Sequence, residues 1–318
     1  MQHPPADLPD ATVAGLVAAA WGLEVVDVAH LPVGYGSHHW RLTGADGVPW
    51  FVTADEPGGA EGLTTLEGAL TVAAVARSAG IRGAHASVAS TAGPVAVPLG
   101  ERYAVSVQPW LDGAAGRFGD RLDEPDAVAL VDLLVALHGI PPARTRATVE
   151  DRSVPGRAAL DDVLDAVRDG RAPHVCGPCG PVVLDALRRR GPALRRALDV
   201  LDASPPAAAA LVPTHGEPHP GNVVRTTGGP VLVDWETARL AEPERDLWLV
   251  AGRTDLDVAG LYTQRSGRPV DAGRLDSRAR RWALTDVADF VPTLLAAPVE
   301  TPDTAWQVEA LLGTLDEL

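Results

Sequence analysis

The segment from Thr214 to Trp248 constrains the fold more than any other part of this chain. Its first half sets polar side chains among Gly and Pro residues, which favour a loop over a helix. Two short apolar runs follow, separated by a Thr-Thr-Gly-Gly sequence, and this pattern predicts a β-hairpin. Because an antiparallel hairpin returns the chain to its starting end, Asn222 before it and Asp234 after it should meet at its base.

A carboxamide oxygen beside a carboxylate suits a hard cation such as Mg²⁺, which prefers oxygen ligands and keeps part of its coordination shell for substrate phosphates. Asn222 and Asp234 supply these two groups. Glu217, on the loop just before the hairpin, supplies a second carboxylate that can accept a proton from an attacking hydroxyl. The segment therefore predicts phosphoryl transfer.

This pattern resembles the catalytic segment of the aminoglycoside phosphotransferase family, small-molecule kinases related in fold to protein kinases. The family carries His-Gly-Asp-x-His-x-x-Asn followed by a metal-binding Asp. The resemblance implies that Glu217 is the catalytic base and that Asn222 and Asp234 are the metal ligands. It also implies that His215 and His219 support the loop.

Two further positions in this segment bear on the resemblance. The base is Glu217 where most of the family has Asp. Its longer side chain can still accept the proton if the loop lies about 1.5 Å, the length of one methylene, further from the reacting hydroxyl. Asp246 matches the later Asp of the family, which ties the catalytic loop down.

Composition excludes some classes of function. The chain has 318 residues and a net charge of −15, and its basic side chains are all Arg, with no Lys. An acidic protein is a poor binder of nucleic acid, because duplex binding depends on phosphate neutralisation. It can steer a cationic acceptor instead. Without a signal peptide or an apolar run of membrane-spanning length, the expectation is a cytoplasmic protein without a membrane partner.

The first 107 residues alternate strands and turns around one inserted helix, which is the order of a kinase N-lobe. The pattern predicts helices at 11–21 and 63–79 and strands at 24–30, 39–43, 50–53, 86–90, 95–97 and 103–107. Residues 108–113 are interpreted as the hinge and 114–318 as a mostly helical C-lobe. Helices are predicted there at 125–138, 157–168, 181–203, 278–293 and 303–315, with a loop at 260–262.

The nucleotide-binding residues are assigned by position. The turn carrying Gly34, Gly36 and Ser37 lies between two predicted strands and can fold over phosphates as a kinase glycine loop does. In kinase-like folds the hinge backbone hydrogen-bonds the purine. This places Gln108 and Trp110 over the base.

The third strand departs from the family pattern. The family has a Lys there that grips the phosphates and pairs with a Glu on the next helix, whereas this chain has Thr53 at that place and Glu67 on the helix. Three explanations compete: the metal and one of His38, His39 and Arg41 handle the phosphate charge, the lobe binds nucleotide weakly, or catalysis is lost. The presence of a base and both metal ligands favours the first.

Two patterns in the C-lobe have open interpretations. Trp282, Asp286 and Asp289 share one helix face, which either lines an acceptor cleft or packs through Trp282. Cys176 and Cys179 form Cys-Gly-Pro-Cys, which is interpreted as two thiols on a turn rather than a redox or zinc site.

These observations predict an α+β protein with a two-lobed, protein-kinase-like fold. The expected activity is Mg²⁺-dependent O-phosphorylation of a small hydroxylated molecule, with ATP or GTP as donor. The acceptor is expected to be an antibiotic of the aminoglycoside or nucleoside type, which makes this a resistance or self-resistance enzyme. The alternatives are a small-metabolite kinase and a catalytically inactive, nucleotide-binding pseudokinase.

Overall fold

The computed structural model describes residues 4–34, 36–171, 176–203 and 210–317. The chain divides into two compact units, the first formed by residues 1–150 and 209–271 and the second by residues 151–208 and 272–318. The lobe boundary expected at residues 108–113 stays a prediction. No helix among the described residues is long and apolar enough to span a membrane.

The first unit contains a five-stranded antiparallel sheet. Its strands are β1 (Val25–Leu31), β2 (His38–Gly44), β3 (Pro49–Asp55), β4 (Ala96–Leu99) and β5 (Tyr103–Pro109), in the order β1-β2-β3-β5-β4. Helix α1 (Asp10–Trp21) precedes the sheet and α2 (Ala60–Ser78) follows β3. The predicted strand at 86–90 is wrong, because that segment joins no strand ladder.

One face of this sheet forms a hydrophobic core with α1. Trp40 and Val52 of the sheet pack with Val13 and Val17 of the helix, and all four are fully buried. The Trp40 indole donates a hydrogen bond to Asp10 (2.8 Å). Because side chains alternate along a strand, the neighbours of these core residues point to the opposite face. That second face lines the cleft described below.

The remainder of the first unit carries the short strands and helices around the predicted catalytic segment. They are β6 (Ala114–Ala115), α3 (Glu124–His138), β7 (Val212–Thr214), β8 (Val223–Thr226), β9 (Gly229–Leu232), β10 (Arg239–Ala241), α6 (Glu244–Ala251) and α7 (Val258–Ser266). Strands β8 and β9 form the predicted hairpin, and β6 pairs with β8. The predicted loop at 260–262 is wrong, since these residues lie within α7.

The second unit is helical over its described residues. Its helices are α4 (Arg157–Arg168), α5 (Gly180–Asp202), α8 (Ala272–Ala296) and α9 (Pro302–Glu317). They pack around a core that includes Leu160, Leu187, Leu284 and Leu311.

Two sequence patterns with open interpretations lie in this part of the chain, the helix face of Trp282, Asp286 and Asp289 and the Cys-Gly-Pro-Cys segment. Burial and the neighbouring Asp289 raise the pKa of Asp286 to about 6, while a hydrogen bond from Trp282 opposes the shift. Cys179 is buried just before α5 and Cys176 is exposed, and neither forms a disulfide. Tyr35 of the glycine-rich turn and His174 near the cysteines lie outside the described residues.

Candidate active site

The backbone of the predicted catalytic loop is held by Asp246. Its carboxylate accepts hydrogen bonds from the backbone N–H groups of His215 (2.9 Å) and Gly216 (2.6 Å). Gly216 has a φ of 104° and lies against the Arg245 guanidinium, so a side chain has no room at this position. The restraint expected of Asp246 is therefore present as two direct hydrogen bonds.

Asp246 keeps its charge in spite of complete burial. Burial opposes ionisation, but a hydrogen bond from His138 (3.0 Å) and the nearby charge of Arg245 hold the pKa of Asp246 below its ordinary value. His138 is itself buried and its other ring nitrogen contacts the Tyr262 hydroxyl at 2.9 Å. His138 thus acts on the loop through Asp246.

The two loop histidines are neutral and engaged with the backbone. His215 Nε2 donates to the Val233 carbonyl (2.8 Å), while Nδ1 accepts from the Glu217 N–H (3.2 Å). His219 Nδ1 accepts from the Gly221 N–H at 3.1 Å. Burial lowers the pKa of His215 below its ordinary value and lowers that of His219 to about 4. Both rings therefore shape the loop as hydrogen-bonding groups.

Glu217 and Asn222 are coupled through the loop backbone. The Glu217 carbonyl accepts from the His219 N–H (2.8 Å) and from Asn222 Nδ2 (3.2 Å). With its nitrogen turned to the loop, the Asn222 carboxamide has Oδ1 as the atom able to ligate a cation. The Glu217 carboxylate lies 3.9 Å from His219 Nε2 and is not among the residues lining the cleft.

Asp234 lies beside Asn222 at the base of the hairpin, as expected. The Val233 N–H donates to the Asn222 carbonyl (3.0 Å), which joins the two segments. Asp234 has a φ of 67° and is the only non-glycine residue with positive φ among those described. Such a conformation is disfavoured for a residue with a side chain and is concentrated at functional sites. The local fold holds this carboxylate in place at a cost in backbone energy.

The donor set fits Mg²⁺ better than a cation that needs a full protein cage. No group of three His, Cys, Asp or Glu side chains in the described part of the chain is arranged to hold a metal ion. Mg²⁺ in phosphotransfer sites takes one or two protein ligands, and substrate phosphates and water complete its shell. Asn222 and Asp234 together match that requirement.

A cleft of about 440 Å³ lies against the second face of the five-stranded sheet. Its walls are partly apolar, with Leu31, Val33, Phe51, Leu70, Trp110 and Leu111. Its polar lining includes Thr53, Asp55, Asn222, Asp234 and Glu236. The volume falls within the range of small-molecule and cofactor sites.

The predicted nucleotide-binding residues separate into two groups. Those that line the cleft are Gly34, His39, Thr53, Gln108 and Trp110, whereas Gly36, Ser37, His38 and Arg41 are not part of its lining. The Ser37 hydroxyl donates to Asp55 (2.5 Å), so this turn is attached to β3.

Of the three candidates to replace the missing lysine, only His39 lines the cleft. The His38 ring packs with His30 and Trp40, and the Arg41 guanidinium lies 5.0 Å from the centre of the Trp110 ring. His39 contacts Thr53 at 3.2 Å and lies close beneath Gly34. Burial lowers its pKa to about 4 although Asp234 opposes the shift, so the ring is neutral at pH 7.

The Lys–Glu pair of the family is not formed in this chain, because Thr53 stands at the lysine position and Glu67 has other partners. Glu67 accepts hydrogen bonds from the backbone N–H groups of Val95 (3.0 and 3.1 Å) and Ala96 (2.7 Å), at the start of β4. Its carboxylate therefore anchors the sheet. No Arg or Lys is found among the described residues that line the cleft.

Two acidic residues that line the cleft, Asp55 and Glu236, were not identified from the sequence. Glu236 follows Asp234 by two positions, and burial, with Asp234 beside it, raises its pKa well above the ordinary value. Asp55 follows Thr53 by two positions on β3 and therefore shares its face. The separation of two residues from a predicted site residue was the sequence signal that could have identified both acids.

Asp55 should make stability depend on pH. Burial raises its pKa from 3.8 to about 6; Ser37 opposes this shift and Asp234 adds to it. A raised pKa stabilises the fold below about pH 4, and the contribution is lost as pH rises through 6. Asp55→Asn should therefore be more stable than the wild type at pH 7.5, by on the order of 2–3 kcal/mol, and the difference should vanish near pH 4.

Urea unfolding of both proteins across this pH range measures the effect. Asp46→Asn, at an exposed turn, is the matched control. An Asp55→Asn protein with the pH dependence of the wild type would contradict the assignment.

Comparison with known proteins places this chain in a family. The model of the phosphotransferase enzyme family matches residues 27–283. The chain belongs to this family and is an enzyme of the phosphotransferase class. The resemblance to the aminoglycoside phosphotransferase family, predicted from the catalytic segment, is confirmed. A search of curated proteins finds no match.

Solved structures with the same fold include several antibiotic-modifying enzymes. A spectinomycin phosphotransferase, APH(9)-Ia, bound to ADP and spectinomycin, is 15% identical, with 98% of this chain and 94% of that chain covered and a TM-score of 0.72. Macrolide 2'-phosphotransferase MphH from Brachybacterium faecium is 18% identical, with coverages of 98% and 99% and a TM-score of 0.58.

A third similar structure is the amicoumacin kinase hAmiN in complex with AMP-PNP, Ca²⁺ and Ami. It is 12% identical, with coverages of 98% and 94% and a TM-score of 0.60. At these identities the likeness concerns the fold. The predicted α+β, kinase-like fold class is confirmed.

Proposed function

We propose that this protein is an O-phosphotransferase that uses Mg²⁺ and ATP or GTP to phosphorylate a hydroxyl of a small molecule. The observation that carries this proposal is the hydrogen-bonded loop and hairpin, in which Asn222 bonds the Glu217 carbonyl on one side and the segment before Asp234 on the other. Asp246 fixes the loop backbone and the β8–β9 pairing fixes the hairpin. Asn222 and Asp234 line a cleft of a size that suits a nucleotide.

Each residue has a distinct role in this proposal. Asn222 and Asp234 would hold Mg²⁺, which when bound neutralises charge on the transferred phosphoryl group. Glu217 accepts the proton of the attacking hydroxyl. His215 and His219 hold the loop in shape through their backbone hydrogen bonds.

His39 is the protein group best placed to contact phosphates in the absence of lysine. Its neutral ring lies close beneath Gly34 and next to Thr53, so it can offer one hydrogen bond but no charge. Metal and glycine-loop backbone would then carry more of the phosphate interaction than in a lysine-containing kinase.

Removal of His39 should weaken nucleotide binding. His39→Ala is expected to raise the KM for nucleotide by about 10-fold, the equivalent of one hydrogen bond to a charged group. His38→Ala is the matched control, because that ring packs on the other face of the same strand, and its KM should stay near that of the wild type. Equal KM values for the two variants would contradict a phosphate-binding role of His39.

An antibiotic is the proposed class of acceptor. Similar structures are named for spectinomycin, macrolide and amicoumacin modification. The net charge of −15 favours a cationic acceptor by electrostatic steering. The protein would then act in the cytoplasm as a resistance or self-resistance enzyme.

The proposal is tested with purified protein, ATP or GTP, and a panel of aminoglycoside, macrolide and nucleoside antibiotics and hydroxylated metabolites. Nucleotide consumption and the mass of the acceptor are followed with and without Mg²⁺. A mass gain of one phosphoryl group on an antibiotic supports the proposal, and a gain on a metabolite alone indicates a metabolite kinase. Nucleotide binding without transfer to any acceptor would favour a regulatory pseudokinase.

A further inference from the structure

A polar cluster lies on the sheet face that lines the cleft. It consists of Gln108 and Ser106 on β5 and of Ser87, all three of which line the cleft. The carboxamide nitrogen of Gln108 donates to the hydroxyls of Ser87 (2.9 Å) and Ser106 (3.1 Å). Two hydrogen bonds therefore hold this side chain in one orientation.

The other end of the same carboxamide has no protein partner. Gln108 Oε1 is buried and accepts no hydrogen bond from any residue that the structure describes. An unsatisfied buried acceptor is unfavourable, and a protein retains one only for a reason. In a cleft lined by this residue, a ligand with an N–H donor would satisfy it.

The surroundings of Gln108 suit a flat aromatic ligand. Strand pairing places Phe51 opposite Gln108, and the Phe51 and Trp110 rings lie 6.3 Å apart. Both rings line the cleft and can pack against a planar base. The acidic and metal-binding residues of the site come from other strands and from the catalytic segment.

The Pro109 carbonyl and the Trp110 N–H, which follow Gln108, are not free to bind a base in its place. Pro109 has no N–H, and its carbonyl is hydrogen-bonded by the His85 ring, whose pKa is lowered by burial in spite of this contact. The Trp110 N–H donates to the Pro49 carbonyl at 3.2 Å. Recognition of a base by the backbone of these two residues would have to break existing hydrogen bonds.

We propose that the Gln108 side chain recognises the nucleotide base, with Oε1 accepting a hydrogen bond from an N–H group on the edge of a purine. The inference rests on the proposed function, because it assigns the base-binding end of the same cleft. Adenine supplies this donor through its amino group, and guanine through its ring N–H or its amino group.

The test compares binding of three nucleotides to the full chain by isothermal titration calorimetry in the presence of Mg²⁺. ATP and GTP carry N–H donors on the base, whereas purine riboside triphosphate carries none. Gln108→Met keeps the length of the side chain and removes the carboxamide. It should weaken the preferred one of ATP and GTP by about 10-fold, the usual effect of one hydrogen bond, and leave purine riboside triphosphate unchanged.

Two further variants separate recognition from structure. Gln264→Met, on an exposed part of α7, should bind all three nucleotides as the wild type does. Ser106→Ala removes one anchor of the carboxamide and should weaken the preferred nucleotide by a few-fold only. If Gln108→Met weakens all three nucleotides equally, or none of them, the inference is overturned while the proposed function stands. Wild-type protein that binds no nucleotide would overturn both.

Discussion

Asp234→Asn is expected to lower kcat by at least about 10³-fold, because it removes the single carboxylate of the proposed Mg²⁺ pair and with it several kcal/mol of charge stabilisation. The substitution is close to isosteric. Asn also tolerates the left-handed conformation that Asp234 adopts, with its φ of 67°. The loss of activity would therefore report the charge and not a change of backbone. Steady-state kinetics over a Mg²⁺ titration measure it.

Two controls accompany this substitution. Asp255→Asn removes an exposed carboxylate whose pairing with Arg121 is on the surface, where ion pairs contribute little, and it should leave kcat unchanged. The Asp234→Asn protein should also unfold at the temperature of the wild type or above it. A variant that retains a tenth of the wild-type kcat would contradict the metal assignment.

The catalytic segment was predictable because its signals are local. Gly and Pro mark the loop, and the two apolar runs around Thr-Thr-Gly-Gly mark the hairpin, so the proximity of Asn222 and Asp234 followed from chain geometry alone. The kinase-like arrangement of the five-stranded sheet and α2 followed from the order of the elements. In both cases neighbouring residues along the chain carry the information.

Features that depend on distant partners were not predictable in the same way. Glu67 was expected to lack the lysine partner usual in the family, but its actual partners, the backbone N–H groups of Val95 and Ala96, are brought near only in the folded chain. His39 and Arg41 are two residues apart on β2 and share a face, but Arg41 stacks on Trp110 and only His39 lines the cleft among the three candidates. Such choices depend on which aromatic ring lies nearby in space.

The wrong strand prediction at 86–90 also has a physical reason. The segment has a strand-like sequence, but β5 is already paired with β3 on one edge and with β4 on the other. The Val107 carbonyl, beyond the residues of β5 that pair with β4, accepts the Val88 N–H at 2.7 Å, and this single bond does not make a strand. Sequence propensity shows that a segment can extend, whereas the available sheet edge decides whether it pairs.

Glu217→Gln is expected to lower kcat by at least about 10²-fold, the usual loss when a general base is removed, while the Kd for nucleotide stays near the wild-type value. The hydrogen bonds that the Glu217 N–H and carbonyl make within the loop use its backbone, and the substitution leaves them in place. The neutral His219 ring 3.9 Å away offers no compensating charge.

A pH series distinguishes loss of the base from loss of structure. The wild-type kcat should fall at acidic pH as the base becomes protonated, and this acidic limb should be missing from Glu217→Gln. Glu217→Asp, which introduces the carboxylate usual in the family, is the control. It should keep the acidic limb and react faster than Glu217→Gln, because its shorter side chain is less well positioned but still accepts a proton. If Glu217→Gln turns over at the wild-type rate, another group must take the proton. His215 and His219 are then poor substitutes, because both ring nitrogens of His215 and Nδ1 of His219 already bond backbone groups and burial keeps both rings weakly basic.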